Sequence, residues 1–215
     1  MEIEQIAEIL IYYLHAPLGG VALISGSVSV IAKKGGRIHR KYGKIFFYSM
    51  LITAISAFII SILPNHESPF LFTIGLFSMY FLIGGIRSLR FKHKEFDVKI
   101  DRIIAYTMII TGVFMIVYPI VLYGRLNTIL TTFGCVGILF GLRDLKLFND
   151  KERLRKGWLK LHLGKMTGGY IAAVSAFFVV NQILPGISNW FVPSVVGSVF
   201  ITYWMNKLNK PKTLT

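Results

Sequence analysis

The chain has 215 residues, of which 54% are hydrophobic, and its mean hydropathy is +0.61. An ordinary soluble domain does not carry so apolar a composition, so this class is excluded. Lys and Arg number 24 against 10 Asp and Glu, and they fall in short gaps between apolar runs. These cations are not interleaved with aromatic stacking platforms, so we predict that they meet membrane lipid and that nucleic acid is not a partner.

Seven apolar runs follow one another, each close to the ~20 residues that a bilayer core demands. They cover about 10–32, 44–63, 69–89, 103–123, 127–143, 163–183 and 190–206. We therefore predict an all-α polytopic membrane helix bundle with seven transmembrane helices, which forms one domain over residues 1–215.

The cations orient this bundle. If the runs alternate across a membrane, all of the 24 Lys and Arg residues except Arg125 fall on one side. The positive-inside rule then places the N-terminus outside and the C-terminus in the cytoplasm. The acidic start, MEIEQIAEIL, lacks the features of a signal peptide, so we expect the first run to stay in the mature protein.

The first run contains an ionisable residue, His15, with Gly19, Ala22 and Gly26 on the same helical face. Pro17 has no N–H to donate to the carbonyl four residues earlier, so we predict a bent helix near His15. A histidine within a membrane span is a candidate functional residue, because burying an ionisable group in lipid is unfavourable.

A repeat links the third and fourth runs to the fifth and sixth. Gly85-Ile-Arg87 matches Gly141-Leu-Arg143, and the similarity continues at an offset of 56 to 57 residues. This pattern predicts a duplicated helical hairpin. With the first two runs as a more diverged copy, the architecture is three hairpins and a closing helix.

Four stretches carry a family resemblance: His15 with Gly19 and Gly20, Lys34–Gly43, Gly141–Asp144 and His162–Asn181. They resemble bacterial membrane proteins of the type called domain of unknown function 2306. The similarity spans most of the chain, and His39-Arg40-x-x-Gly43 and His162–Asn181 are its most specific pieces. This resemblance implies a multi-pass bacterial membrane protein and singles out His15, His39, Asp144 and His162, but the family name carries no established activity.

The sequence supports two main functional hypotheses. The first is a non-enzymatic membrane component that binds lipid or other membrane subunits through its small residues. The second is a b-type haem protein for electron transfer, since helical bundles hold this cofactor between facing imidazoles. We predict that His39 and His162 are the haem ligands, and that Gly43 and Gly169 make room for the cofactor beside them. Arg40 or Lys165 would pair with a propionate.

Other site types remain open. His15, His39, His162 and Asp144 could form a metal site, but His15 is predicted to lie more than ~10 Å from the others along the membrane normal. We expect Asp144, beside Arg143, to be a salt-bridged boundary residue. A small-solute transporter is a further alternative, which the near absence of charge within the runs disfavours.

Familiar catalytic motifs are absent from the sequence. No HExxH, GxSxG, glycine-rich phosphate loop or SxxK motif occurs, and Cys135 is the only cysteine. A lone cysteine excludes an internal disulfide and a CxxC metal or redox site. Whether the protein is an enzyme is therefore left open.

Overall fold

The computed structural model describes residues 3–209, and all regular structure in that range is helical. Its elements are α1 (Ile3–Ile9), a π-helical segment (Leu10–His15), α2 (Ala16–Ile31), α3 (Arg37–Ile60), α4 (Pro69–Arg87), a 3₁₀ segment (Ser88–Lys92), α5 (Lys99–Tyr123), α6 (Thr128–Leu147), α7 (Lys151–Asn181) and α8 (Ser188–Asn209). The prediction of an all-α chain is confirmed for these residues. The extreme C-terminus, predicted to be cytoplasmic, lies outside them.

Six helical stretches are long and apolar enough to cross a membrane. They are Glu4–Ile31, Arg37–Ile60, Pro69–Lys92, Lys99–Tyr123, Thr128–Leu147 and Lys151–Asn181. Large apolar side chains also point outward, with Ile110, Val121 and Val180 being 69%, 73% and 81% exposed. An apolar exterior of this kind suits lipid and not water. The seventh predicted run lies in α8 (Ser188–Asn209), which does not belong to that set of six.

The helix ends follow local sequence signals. Ser68 caps α4 by accepting a hydrogen bond from the Leu71 N–H at 3.1 Å, and Pro69 occupies the first turn, where no donor is needed. Asn127 and Asp150 cap α6 and α7 in the same way. Side-chain caps thus mark the starts of α4, α6 and α7, whereas α3 and α5 begin without one.

Close helix crossings depend on glycine. At the α5–α6 crossing, a Cβ added to Gly112 would lie 2.7 Å from the carbonyl oxygen of Gly134, and a Cβ on Gly134 would meet the Gly112 oxygen equally closely. Only the absence of both side chains lets the two backbones approach this far. α5 and α6 consequently form the most extensive helix pair, followed by α2 with α3.

The pairing of the last hairpin differs from the prediction. α6 and α7 are consecutive, yet they share few contacts, because α6 packs on α5 while α7 packs on α4 and α8. The first two predicted hairpins, α2–α3 and α4–α5, do pack together. Phe91 and Phe148, which match in the proposed duplication, lie in one buried cluster with ring centroids 6.2 Å apart.

Candidate functional site

A cavity of about 440 Å³ opens at the end of the bundle where the cation-rich connections meet. Residues from the α2–α3 connection, the end of α4, the middle of α7 and the end of α8 form its walls. His39, Arg40, Gly43 and His162, all predicted as cofactor-binding residues, line this one cavity. The structure thus brings together two histidines that are 123 positions apart in the sequence.

His39 stands on the first turn of α3 and is half-buried. Its Nδ1 lies 2.9 Å from the backbone oxygen of Ser29 and 3.2 Å from that residue's hydroxyl. A carbonyl oxygen can only accept, so the Nδ1 atom carries the proton and donates. In the neutral ring this leaves Nε2 with a free lone pair.

His162 is held in the same way from the opposite wall. It lies on α7, where its Nδ1 donates to the backbone oxygen of Gly85 at 2.8 Å. Gly85 has no side chain, and its missing Cβ leaves the space that the Met166 side chain of α7 fills. The close α4–α7 approach therefore fixes the tautomer of His162, and its Nε2 is the ring nitrogen left without a protein partner in the described residues.

Cations surround the two imidazoles. Arg40, Lys44 and Lys92 line the cavity, and Lys34 closes one side by donating to the Val30 backbone oxygen. The Lys34 ammonium also lies 5.1 Å from the ring centroid of Trp204. Burial of this ammonium lowers the pKa of Lys34. The cavity therefore offers positive charge to an anionic group at its rim.

The rest of the wall is mostly apolar and aromatic, with Tyr170 at its centre. The Tyr170 hydroxyl meets the Ser27 hydroxyl at 2.5 Å, and its ring crosses Gly26, where a Cβ would lie 2.5 Å from Cδ2. Other wall side chains are Val30, Phe46, Trp158, Leu163, Met166, Phe200 and Trp204. Such a wall fits a flat, apolar molecule with acidic substituents.

The predicted glycines occupy different places. Gly43 lines the cavity, one turn after His39, and a Cβ there would lie 3.3 Å from the Ser29 hydroxyl oxygen. Gly169 lies instead at the α4–α7 interface, where a Cβ would be 3.1 Å from Leu82 Cδ2. The glycine that opens the cavity from α2 is Gly26, which the sequence analysis assigned only to the face of His15.

His15 belongs to a separate polar contact. It ends the π-helical segment, and its Nδ1 lies 3.1 Å from both the Thr53 backbone oxygen and the Ser56 hydroxyl. The Ala16 N–H reaches back to the Ile11 oxygen, five residues earlier, in the wider π spacing. A break in the α-helical pattern at this point agrees with the missing donor of Pro17.

Asp144 has a partner that the sequence analysis did not assign. It is buried and accepts at one oxygen, Oδ2, from Lys165 Nζ at 2.5 Å and from the Tyr80 hydroxyl at 2.7 Å. The expected neighbour, Arg143, is exposed. Lys165 is itself buried, with a side chain 7% exposed, so it is not free to pair with a propionate as predicted.

A second buried acid, Asp101, was missed altogether. It is 4% exposed and receives two hydrogen bonds from the Arg87 guanidinium, each at 2.8 Å. The sequence could have predicted this ion pair, because a basic residue ends α4, an acidic residue lies in the first turn of α5, and only a short connection separates the two helices. Together the two ion pairs show that the apolar helices carry buried charge. The near absence of such charge, which had disfavoured a transporter, therefore does not hold.

The cavity's donors fit haem better than a bare metal ion. Within residues 3–209 no three His, Cys, Asp or Glu side chains converge to hold an ion. Two imidazoles with free Nε2 atoms, an apolar wall and rim cations match what a porphyrin with two propionates needs. Arg40 stays a candidate partner for a propionate, and Lys44 and Lys92 join it.

Comparisons with known proteins identified no similar protein. No protein-family model, no curated protein and no solved structure matches this chain. Function must therefore be argued from the cavity and the helices themselves.

Proposed function

We propose that this chain is a multi-pass bacterial inner-membrane protein that binds one b-type haem between His39 and His162, and that it is a non-enzymatic component of electron transfer. One observation carries the proposal. Both histidines line a single cavity, and each donates its Nδ1 proton to a backbone carbonyl, of Ser29 and of Gly85 respectively.

This hydrogen bonding is what metal-ligating histidines use. A ring that donates through one nitrogen to a carbonyl is fixed in orientation, and its other nitrogen becomes a better ligand. A histidine that only caps a helix or contacts lipid headgroups does not require this hydrogen bond. Two histidines with the same hydrogen bond in one cavity are even less expected without a shared ligand. The neutral tautomer also avoids placing two more positive charges among Arg40, Lys44 and Lys92.

The chain's own residues divide the task of holding the cofactor. His39 and His162 would supply the imidazole ligands, Arg40 and Lys44 would pair with propionates, and Phe46 and Trp204 would exclude water from the ring. When bound, haem supplies one-electron chemistry that amino-acid side chains do not provide. Gly43 keeps the wall beside His39 free of a side chain.

A spectrum tests the proposal directly. The full chain is purified in detergent from cells supplied with a haem precursor, and a reduced-minus-oxidised visible spectrum is recorded. We expect a Soret band and sharp α and β bands, lost in His39→Ala and in His162→Ala. His93→Ala is the matched control, because His93 is exposed on the connection before α5 and should leave the spectrum unchanged.

A folded wild-type protein that stays colourless refutes the haem. Bands that survive loss of either histidine refute the assignment of the ligands. Folding of each variant is checked by its gel-filtration profile and helical circular dichroism, so that lost colour is not mistaken for lost structure.

We also propose that the chain crosses the membrane seven times, with α8 as the seventh span. This topology goes with its resemblance to the domain of unknown function 2306 type. The 22 residues of α8 reach roughly 33 Å, which exceeds the ~30 Å core of a bilayer. Phe200, Trp204 and Leu208 line the cavity, so α8 returns to the end where the cations lie. This supports a cytoplasmic C-terminus opposite an external N-terminus.

Reporter fusions test the orientation. A reporter joined after Lys94 or after Asn209 should be cytoplasmic, and one joined after Asn127 should be external. A reporter after Asn209 on the external side would show that α8 does not cross. A reporter after Lys94 on that side would reverse the whole topology.

A further inference from the structure

The buried pair Lys165–Asp144 lies one helical turn along α7 from the proposed ligand His162. Lys165 follows His162 by three residues on α7, so the two side chains share a helical face. Both also contact the same short stretch of α4: His162 bonds the Gly85 oxygen, and the Lys165 chain crosses Gly84, where a Cβ would lie 2.8 Å from Cδ. His162 and Lys165 thus share the same part of the α4–α7 interface.

Three helices enclose this pair. Asp144 comes from α6, Tyr80 from α4 and Lys165 from α7, and none of them is more than 6% exposed. The ammonium also lies 3.7 Å from the centroid of the Tyr80 ring. Because water is excluded around the pair, the field of either charge is only weakly screened inside the bundle.

Stability alone does not account for such a pair. Two buried charges lose their hydration, and well-packed apolar residues would usually stabilise a core as well or better. Charges kept inside a membrane bundle therefore suggest a role in function.

We propose that Lys165 and Asp144, with Tyr80, set the reduction potential of the haem through His162; this inference rests on the proposed function. Reduction adds one electron, so a neighbouring positive charge favours the reduced form and a negative charge favours the oxidised form. In the intact pair the two effects oppose each other, and removal of one partner should expose the other.

The test compares midpoint potentials in redox titrations of the haem-loaded full chain. Lys165→Met leaves the Asp144 carboxylate and should lower the potential, measured at pH 8. Asp144→Asn leaves the Lys165 ammonium and should raise it, measured at pH 6. We expect each shift to change the oxidised-to-reduced ratio at least tenfold, which is about 59 mV for one electron.

Further variants separate charge from packing. The double variant Lys165→Met with Asp144→Asn should return close to the wild-type potential. Tyr80→Phe keeps both charges but removes a hydrogen bond from the carboxylate, so it should lower the potential less than Lys165→Met does. Lys156→Met on the same helix, whose side chain is 75% exposed, should shift nothing.

Opposite signs for the two single variants are the decisive result, because a loss of packing would move both potentials in one direction. Same-direction shifts, or unchanged potentials in coloured protein, overturn this inference and leave the proposed function standing. A colourless wild type refutes the proposed function, and this inference with it. If Lys165→Met does not fold, Tyr80→Phe and Asp144→Asn still have opposite predicted signs.

Discussion

Breaking the Lys165–Asp144 pair should destabilise the bundle far more than removing it whole. The Nζ and Oδ2 atoms lie 2.5 Å apart, with side chains 7% and 5% exposed. At an effective dielectric constant of ~20 their attraction is about 7 kcal/mol, but each ion has lost several kcal/mol of hydration on burial. The pair therefore contributes little on balance, while a single remaining charge keeps the hydration loss without the attraction.

We accordingly expect Lys165→Met or Asp144→Asn alone to lower the free energy of unfolding by about 3–5 kcal/mol. The double variant should lose no more than about 1 kcal/mol, since neither site then holds a charge. Reversible unfolding in mixed micelles, followed by circular dichroism and tryptophan fluorescence, measures all four proteins in one cycle.

Glu152→Gln provides the control, because Glu152 also pairs with a lysine of α7, but its side chain is 65% exposed. It should leave the unfolding midpoint unchanged. The reasoning is refuted if the double variant loses as much as the two single variants added together, since the two charges would then be independent. It also fails if each single variant loses less than about 1 kcal/mol, a value typical of exposed pairs.

Two further predictions concern packing and the second buried acid. In the same assay, Gly112→Ala should lower the free energy of unfolding by about 1–3 kcal/mol, because its Cβ would press on the Gly134 oxygen. Gly20→Ala is the control: nothing lies within 4 Å of its Cβ, so it should leave the free energy of unfolding unchanged or raise it by up to about 1 kcal/mol. Equal effects of the two substitutions would contradict the glycine crossing. Arg87→Met should lower the free energy of unfolding by about 2–3 kcal/mol, because the buried Asp101 would lose its two hydrogen-bond donors. Arg90→Met, at an exposed position, should cause no measurable loss. An Arg87→Met variant as stable as the wild type would show that Asp101 has another partner.

The sequence was most informative about the helices. Apolar runs separated by charge require helices in a membrane, because only helices satisfy their own backbone groups there. The run at 103–123, for example, lies within α5 (Lys99–Tyr123), and the run at 127–143 begins at the capping residue of α6 (Thr128–Leu147) and otherwise lies within that helix. Pro17 likewise marked the irregular turn at His15, since a missing N–H has a local consequence that needs no knowledge of neighbours.

The candidate site was only partly predictable, for a physical reason. Periodicity identifies the face on which a residue lies but not the helix that this face meets. His39 and His162 could be chosen by chemistry, yet Gly169 was placed beside the cofactor when its face meets Leu82. Asp144 was paired with its neighbour Arg143 for the same reason, because nothing in the chain indicates that Lys165, 21 positions later, would reach it across α4.

The two halves of the proposed duplication differ in how their two helices contact each other. In the first half, Arg87 at the end of α4 holds Asp101 at the start of α5, and these helices pack together. In the second half Arg143 takes the place of Arg87, but the positions matching Asp101 hold Gly157 and Trp158, neither of which has a side chain that accepts a hydrogen bond from a guanidinium.

Arg143 is exposed, and within residues 3–209 it forms no ion pair with the start of α7. α7 packs along α4 through Gly168 and Gly169, and this placement carries His162 to the cavity and Lys165 to Asp144. The second hairpin of the proposed duplication thus lacks the ion pair that joins α4 to α5, and its two helices pack mainly on other neighbours.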